Sequence, residues 1–567
     1  MMRASMSERS GAGSSGTACG ERTTNTSGRS WRDSVRGVPA SRWASTLALS
    51  AAVGIAGPVM GCSSVGTETD NPGSPGGLEF RRSSLPYQSE VTVPAADRDA
   101  LRDGNQVFAC SLYREIVDTT AASENVFVSP SSISTVMAMT YAGARGDTAS
   151  EMADALQFTL PNAALHPAMN ALTQALRDAT VGTDVSFQTL NSLWLARGFA
   201  TEPDYLDVLS QHYDTGVYMA DFAGDTEGVR ESVNDWAREQ TSGLVPELFG
   251  AGAIREETEL VLTNAAYLSA PWLDRFDPES TEPAPFRLPD GTEVDVPMMR
   301  RLWDYPFVFD VDYRAVELPF RDANMGMVFV LPNEGEFRVF EESLDATRLR
   351  RIATALEAAR SPDEEGPFLY LRLPRFDFGA SVDLRPPLEA LGMSLAFDQF
   401  AADFSGIDPE GLPFIDSIIH RTTIEVDEYG TTAAAASGEV MEPEPITPRL
   451  TFDRPFVFFI YDHETQSVLF MGRLVRPSGD AREPASPPET RTDIAIICEV
   501  LADCAGRTTT ESECAAALEG DEPAVVEQCA DCYLAKDDLC SGSPGCSWGP
   551  DVCAPDACAE YCPAQSF

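Results

Sequence analysis

Three features of the sequence carry side chains that catalysis or metal binding would need. Residues 545–549, with the letters GCSWG, have the G-x-S-x-G spacing of a serine nucleophile held between a strand and a helix. Cys529 and Cys532 are spaced as two zinc thiolates would be. Histidine, the usual partner in both kinds of site, occurs only at positions 166, 212, 420 and 463, so neither pattern has an imidazole close to it in the sequence. The histidine content therefore disfavours an enzyme of either kind.

The cysteines are concentrated near the C-terminus, where ten of the thirteen lie between positions 498 and 562. An even number of closely spaced cysteines is typical of a disulfide framework in an exported protein, and zinc binding is the alternative. Because this segment contains no histidine, we predict a small disulfide-rich module over residues 494–567 and no metal site. Cysteines flank the GCSWG run on both sides, which favours a chance match. Cys110, alone in the central region, is predicted to be a buried free thiol.

The acidic composition excludes one large class of partner. The chain of 567 residues has 88 acidic and 41 basic side chains and a net charge of −47. Such a chain repels the phosphate backbone of a nucleic acid, so nucleic-acid binding is not expected. Hydrophobic residues make up 43% of the sequence, which is enough to bury a substantial core in a chain of several domains.

The first 61 residues differ in charge from the rest, because they hold seven arginines and three acidic residues. An apolar run over residues 43–60 indicates a secretory signal peptide, and Gly57 and Pro58 interrupt it too much for a membrane span. Cys62 follows Gly61 in a pattern that resembles a bacterial lipobox, in which this cysteine is lipidated. The sequence thus predicts export, with a lipid anchor on Cys62 in the bacterial cell envelope. The alternative is an ordinary signal peptide and an extracellular protein.

Two segments have the composition of flexible linkers. Residues 62–94 and 478–493 are rich in glycine, serine, threonine or proline, so they cannot bury enough apolar surface to offset chain entropy. They divide the chain into a signal peptide (1–61), a linker (62–94), a central domain (95–477), a second linker (478–493) and the disulfide-rich module (494–567).

The central domain is predicted to belong to the α+β class, because helical patterns come first and strand patterns later. Leu101, Phe108, Leu112 and Ile116 recur with near-helical spacing, and residues 133–141 and 151–156 also favour helix. Short apolar runs punctuated by proline or glycine predict strands at residues 259–262, 327–331, 369–373, 456–460 and 468–471.

A series of motifs in this domain resembles the serpin family and keeps the order that the family has. The longest are NVFVSPSSI at residues 125–133 and MTYAGARGDT at 139–148. The others are NSLW (191–194), NDW (234–236), LTNAAY (262–267) with Trp272, LPF (318–320), LPRF (373–376), DFSG (403–406), RPF (454–456) and LFMGR (469–473). The resemblance implies a serpin fold, with a large central β-sheet, flanking helices and an exposed reactive loop near the C-terminal end of the domain.

The hinge of the reactive loop decides function in this family. Here it consists of Glu428, Gly430, Thr431, Thr432, Ala433, Ala434, Ala435, Ala436 and Ser437. By propensity alone the alanines would favour a helix, and a flexible small-residue loop is a second interpretation. Small side chains are also what a loop needs to enter a sheet as an extra strand, because large or charged groups would have to be desolvated. Loop insertion is the established transition of serpins, and a small-residue hinge accompanies its inhibitory members, so the resemblance implies an inhibitor.

Family spacing implies the position of the cleaved bond. Glu444 lies fourteen residues after the hinge glycine and eleven before the proline at position 455, so the implied reactive bond is Glu444–Pro445. The implied partner is a glutamyl-specific or elastase-like endopeptidase. Proline after the bond restricts Glu444 and slows most serine proteases, so the bonds 439–440, 440–441 and 441–442 are alternatives. Glu439 would share a face with Thr431 in an inserted strand, and its charge would slow insertion.

Other positions match serpin residues that form hydrogen bonds beneath the opening of the sheet or lie at its top. The first group is Ser129, Ser132, Asn264 and His420, and the second is Trp272 and Glu428. A lone histidine is more often a structural residue than a catalytic base, which agrees with this role. The resemblance implies a polar latch with no catalytic residue, no cofactor and no metal, in a protein expected to be a monomer.

These features favour a suicide-type inhibitor of serine or cysteine endopeptidases that acts through cleavage and insertion of its loop. One alternative is a non-inhibitory serpin that acts as a cell-surface binding or adhesion protein, with the cysteine-rich module as its adhesive part. An enzyme is the third interpretation, and the scarcity of histidine argues against it.

Overall fold

The computed structural model of the protein describes residues 79–241, 243, 245, 247–360, 367–431 and 447–477. The signal peptide, Cys62 and residues 63–78 of the first linker lie outside these residues, as do the second linker and the disulfide-rich module. Residues 432–437 of the hinge and the implied reactive bond of Glu444 and Pro445 lie outside them as well. What the sequence predicts for those parts stays a prediction.

The helices predicted from periodicity are present. In α1 (Ala95–Thr119) the four apolar side chains that define the helical spacing are all buried. Cys110 in the same helix is a buried free thiol, as predicted, and burial raises its pKa to about 12. The other helices of the described residues are α2 (Pro130–Tyr141), α3 (Gly146–Leu156), α4 (Asn162–Asp178), α5 (Pro203–Tyr213), α6 (Thr226–Gln240), α7 (Phe337–Glu342), α8 (Ala346–Ala359) and α9 (Arg385–Ala390).

The largest sheet carries the candidate site. Its strands are β1 (Glu79–Arg81), β3 (Ser186–Ala196), β4 (Val217–Ala220), β5 (Leu260–Pro271), β12 (Phe376–Asp383), β13 (Ile415–Val426) and the short β14 (Gly430–Thr431). The hydrogen-bonded order is β1-β4-β3-β5-β13-β12, and β14 pairs with β5 outside this order. Burial alternates along most of β13, so one face of the strand meets the core and the other does not.

A second sheet lies within the apolar core. Its strands are β2 (Val126–Val128), β8 (Phe307–Phe309), β9 (Tyr313–Pro319), β10 (Met325–Pro332), β16 (Phe456–Asp462) and β17 (Ser467–Leu474), in the order β2-β17-β16-β10-β9-β8. β10, β16 and β17 are buried along their whole length, because both of their faces are covered. Along β10, Val328 and Val330 enter one apolar cluster, and Met327 and Phe329 enter another.

A third sheet contains the first described strand after the predicted reactive loop. Its strands are β6 (Glu282–Arg287), β7 (Glu293–Trp303), β11 (Leu369–Pro374) and β15 (Arg449–Thr451), in the order β15-β11-β7-β6. Each of the five apolar runs predicted as strands lies in or at the start of one of these elements, namely β5, β10, β11, β16 and β17. The mixture of helices with three sheets is the α+β architecture that the sequence predicts.

One part of the predicted first linker is packed against the domain instead. Residues 79–81 pair antiparallel with β4, and the rings of Phe80 and Tyr218 lie 4.7 Å apart. Tyr87 Oη donates a hydrogen bond to Asn170 Oδ1 on α4 at 2.6 Å. The flexible linker predicted over residues 62–94 therefore does not hold for residues 79–87. The physical reason is that the edge of β4 offers unpaired backbone groups, which the linker's composition cannot reveal.

Candidate functional site

The chain reverses direction directly after β13, in the turn that begins the predicted hinge. The Asp427 carboxylate accepts hydrogen bonds from the N–H groups of Tyr429 (2.8 Å) and Gly430 (3.0 Å), and the Asp427 N–H donates to the Gly430 carbonyl (3.1 Å). Glycine is required at position 430, because a Cβ atom there would lie 2.2 Å from the Ala270 carbonyl oxygen. Burial raises the pKa of Asp427 to about 6, although the two N–H groups act in the opposite direction.

Glu428, in the middle of this turn, is buried with an exposed fraction of 1%. Both of its carboxylate oxygens lie 2.6 Å from Nη2 of Arg375, and Oε1 also accepts from the Thr281 hydroxyl at 2.6 Å. The Phe276 N–H donates to the Glu428 carbonyl at 2.9 Å. Arg375 and Thr281 together compensate the buried carboxylate, whereas Glu428 or Arg375 alone would be an uncompensated charge.

Trp272 closes the turn from the end of β5. Its indole Nε1 donates to the Asp427 carbonyl at 2.9 Å, and its backbone N–H donates to the Tyr429 carbonyl at 2.9 Å. The side chain is fully buried and stacks on Phe320, with 5.2 Å between the ring centroids. Trp272 and Glu428, both predicted at the top of the sheet, therefore hold the same turn from two sides.

The sheet opens between the upper parts of β5 and β13. These strands run parallel and pair directly over residues 260–266 and 415–422. Beyond that point β13 continues to pair with β12, and the end of β5 pairs with β14. The direct ladder between β5 and β13 therefore stops before either strand ends, which leaves a gap at the top of the sheet.

The two residues of β14 occupy the top of this gap. Gly430 lies opposite Pro271 and Thr431 opposite Ala270, antiparallel to β5. The Ala270 N–H donates to Thr431 Oγ1 at 3.0 Å, and Thr431 has an exposed fraction of 2%. Because β5 and β13 are parallel, a strand returning from β13 runs antiparallel to both. Antiparallel ladders are slightly more stable per residue than parallel ones such as the ladder between β5 and β13.

Beneath the gap, the four predicted latch residues form one hydrogen-bonded group. His420 and Asn264 are register partners on β13 and β5, and His420 Nδ1 is hydrogen-bonded to Asn264 Oδ1. The Ser129 N–H donates to His420 Nε2 at 3.0 Å, and the Asn264 side-chain amide donates to Ser132 Oγ at 2.7 Å. Ser129 Oγ donates to the Leu469 carbonyl on β17 at 2.8 Å. The group therefore ties the two strands that border the gap to α2 and to the second sheet.

His420 is neutral in this arrangement. Its Nε2 accepts from the Ser129 N–H, so the ring proton resides on Nδ1, which faces Asn264. Complete burial lowers the pKa of His420 to about 3. A protonated ring would have two donors and would lose the bond from Ser129. The side chain thus serves the structure of the sheet, and its surroundings suppress acid–base activity near neutral pH.

We expect this latch to make stability depend on pH. Below about pH 6.5 the unfolded chain takes up a proton at His420, whereas the folded protein does so only near pH 3, so acid favours unfolding. Between about pH 6.5 and pH 5, each pH unit should cost the wild type about 1.4 kcal/mol more than the His420→Asn variant. Urea unfolding of both proteins over this range measures the difference. The other histidines are common to both proteins, so their contributions to the difference cancel. If the free energy of unfolding fell equally with pH in both proteins, the role of His420 would be contradicted.

Three residues that complete the site are not evident from the sequence. Arg375 belongs to the LPRF motif, yet nothing in the sequence pairs it with Glu428, which is 53 residues away. Asn191, in the NSLW motif, accepts a hydrogen bond from the Asn264 side chain and extends the latch to β3. Asp427 forms the turn. Their positions in the sequence give one indication, because each lies within or beside a segment that resembles the family.

The remaining site predictions fall on residues that the structure does not describe. Thr432, Ala433, Ala434, Ala435, Ala436 and Ser437, with Glu444, Pro445 and Cys62, are in this class. In the part of the chain that is described, no three histidine, cysteine or acidic side chains are grouped as metal ligands. Over the same residues, no helix has the length and apolar character needed to cross a membrane.

Known proteins have similar sequences over this part of the chain. The family model described as serpin (serine protease inhibitor) matches residues 103–477. The chain is 34% identical over 409 residues to an uncharacterized serpin-like protein of Thermococcus kodakarensis, across 70% of this chain and 92% of that protein. It is 33% identical over 389 residues to the leukocyte elastase inhibitor of Bos taurus, across 67% of this chain and 100% of that inhibitor.

Solved structures give the same result. Human glycosylated kallistatin matches with a TM-score of 0.60 at 28% identity, over 67% of this chain and 99% of kallistatin. The thermophilic serpin tengpin in its native state matches with a TM-score of 0.60 at 22% identity, over 69% of this chain and 97% of tengpin. At that identity the likeness to tengpin concerns the fold alone.

Proposed function

The chain belongs to the serpin family, and we propose that it is an irreversible, suicide-type inhibitor of serine endopeptidases. The observation that carries the proposal is the position of β14, whose two residues already lie beside β5 at the top of the gap. The hinge residues that follow in the sequence are small, so they would enter the gap with little desolvation cost. The similarity to an elastase inhibitor supports a protease inhibitor rather than an enzyme.

The neighbouring strands set how much of the loop can enter the sheet. β5 and β13 have 12 residues each. A strand of the same length that begins at Thr431 would end at Glu442, directly before Pro443, and proline cannot donate to the ladder of a central strand. Thr431 is buried, and Glu439 follows it by an even number of residues. In an inserted strand the Glu439 side chain would therefore point to the same buried face of the sheet as Thr431. We expect this carboxylate to slow the last part of insertion.

In the proposed mechanism the target protease begins its ordinary reaction on the loop. Its catalytic serine oxygen attacks the carbonyl carbon of Glu444, and the bond from that carbon to the Pro445 nitrogen breaks. The nitrogen leaves as an amine, with a proton delivered by the protease's histidine, and an acyl-enzyme ester remains. The freed loop then extends β14 between β5 and β13 and carries the esterified protease along before water hydrolyses the ester. The serpin supplies the bait and the stored strain, and no catalytic group.

The proposal is tested by incubating the mature protein with glutamyl-specific, elastase-like and subtilisin-like serine endopeptidases. We expect an SDS-resistant complex with at least one of them, because the ester survives denaturation. Mass spectrometry of the released C-terminal fragment should place its first residue at Pro445, or at position 440, 441 or 442. Heat stability should rise after loop cleavage, because the sheet gains a strand.

The same experiment separates the alternative functions. Cleavage without a stable complex and without a gain in heat stability would indicate a non-inhibitory serpin, for which the cysteine-rich module would be the binding part. Cleavage only outside residues 438–446 would contradict the assigned loop. A Ser547→Ala variant serves as the control for the GCSWG run, and we expect it to behave as the wild type does.

A further inference from the structure

The outer face of the third sheet carries a group of arginines. Register pairs place Arg372 of β11 directly opposite Arg300 of β7, and Tyr370 opposite Arg449 of β15. Side chains alternate between the faces of a strand, so these residues share one face, while Leu371 and its neighbours point into the core. We call the residues Arg300, Arg372, Arg449 and Tyr370 the arginine face.

Two of these arginines lack an acidic partner among the described residues. Arg300 lies 3.0 Å from Glu282 in an ion pair. Arg449 stacks over the Tyr370 ring at 5.0 Å from its centroid, and neither Arg449 nor Arg372 forms an ion pair with a described carboxylate. In a chain with 88 acidic and 41 basic side chains, two neighbouring guanidinium groups that form no ion pair with a described carboxylate are unusual. No carboxylate of the described residues compensates their charge, and an acidic partner would do so.

The position of the arginine face relative to the reactive loop identifies the partner. β15 begins at Arg449, five residues after Glu444, and five residues span at most about 17 Å. A protease of about 220 residues has a radius of gyration of about 17 Å. A protease bound at the loop therefore comes within contact distance of the arginine face.

We propose that the arginine face is a second docking surface for the target endopeptidase, and that this target carries acidic residues beside its active site. The inference rests on the proposed inhibitory function and adds a charge requirement to it. At about 0.15 M ionic strength the Debye length is about 8 Å, so charges of this acidic chain that lie further away are largely screened, and the local arginines act on the contact. Charges at the edge of an interface act mainly on the association rate.

The test compares two endopeptidases with the same bond preference, one with an acidic and one with a basic net charge. The variants are the double reversal Arg372→Glu/Arg449→Glu and the milder Arg372→Gln/Arg449→Gln. A matched control, Arg197→Glu/Arg338→Glu, reverses two exposed arginines outside the third sheet. Thermal midpoints and stoichiometries of inhibition first establish that each variant is folded and that its loop still inserts. The readout is the second-order rate constant for complex formation.

At about 0.15 M salt we expect the double reversal to lower the rate constant for complex formation with the acidic protease roughly tenfold. The rate constant with the basic protease should rise. The glutamine variant should show part of both effects, the control should show neither, and about 1 M salt should abolish the differences. Equal rate constants for wild type and double reversal, or an equal decrease with both proteases, would contradict the proposed docking surface. Neither result would contradict the proposed inhibitory function. Acceleration by a sulfated polysaccharide, with no ranking by protease charge, would overturn it too. Absence of any complex with the wild type would overturn the proposed function itself.

Discussion

Replacing Glu428 by lysine is expected to remove about 3–5 kcal/mol of stability and to promote polymerisation. The substitution leaves the Arg375 guanidinium without its carboxylate and places a second positive charge beside it in a buried site. Glu428 also holds the turn from which β14 enters the gap, so its loss frees β14. The exposed edges of β5 and β13 would then accept the loop of another molecule as a strand, which is a recognised route to chain association.

Thermal unfolding and native electrophoresis after mild heating measure the two effects. The midpoint of Glu428→Lys should fall by roughly 10 °C, and polymers should form at temperatures where the wild type forms none. Glu389→Lys is the matched control, because Glu389 pairs with Arg385 at 2.9 Å on the surface and should cost less than about 1 kcal/mol. The double variant Arg375→Glu/Glu428→Lys restores opposite charges and should recover part of the loss. A Glu428→Lys protein as stable as the control would show that the buried pair does not hold the turn.

Local patterns explain which parts of the fold could be predicted from the sequence. Burial follows the spacing of apolar residues in α1, and the uniform apolar runs of β10, β16 and β17 become strands covered on both faces. For the hinge, the helix propensity of the alanines favours a helix, whereas the family resemblance implies a loop that inserts as a strand. Gly430 and Thr431 are in a strand, because the end of β5 offers them unpaired backbone groups. The four alanines themselves lie outside the described residues, so their conformation stays a prediction.

Contacts between distant segments explain what could not be predicted. The pairing of Glu428 with Arg375 depends on the antiparallel register of β12 and β13, which no local pattern encodes. The hydrogen bond between Asn191 and Asn264 depends likewise on the register of β3 and β5. Residues 79–81 look like a linker by composition, and they become a strand only because β4 presents a free edge beside them.

If the protein inhibits by loop insertion, as proposed, replacing Thr431 by arginine is expected to convert it from an inhibitor into a substrate. Thr431 is buried, and its Oγ1 accepts the Ala270 N–H, so the position has room and partners for a small hydroxyl side chain. A guanidinium at the same place would have to be desolvated without an anion to compensate it, which costs several kcal/mol. Extension of β14 would therefore stall at its first step, while the implied reactive bond, thirteen residues further along, would be chemically unchanged.

The protease assay distinguishes this outcome from general damage. The stoichiometry of inhibition should rise by at least about tenfold, because each ~1.4 kcal/mol added to the insertion barrier slows insertion about tenfold. The SDS-resistant complex should be lost, and the rate of loop cleavage should be unchanged. Thr431→Ser keeps the hydroxyl and should inhibit as the wild type does. A Thr431→Arg protein that still traps its protease would show that insertion does not pass through this position. Loss of cleavage together with trapping would point instead to a displaced loop. Only the combination of intact cleavage and lost trapping follows from the geometry, because cleavage needs the bond alone and trapping needs the strand that begins at Thr431.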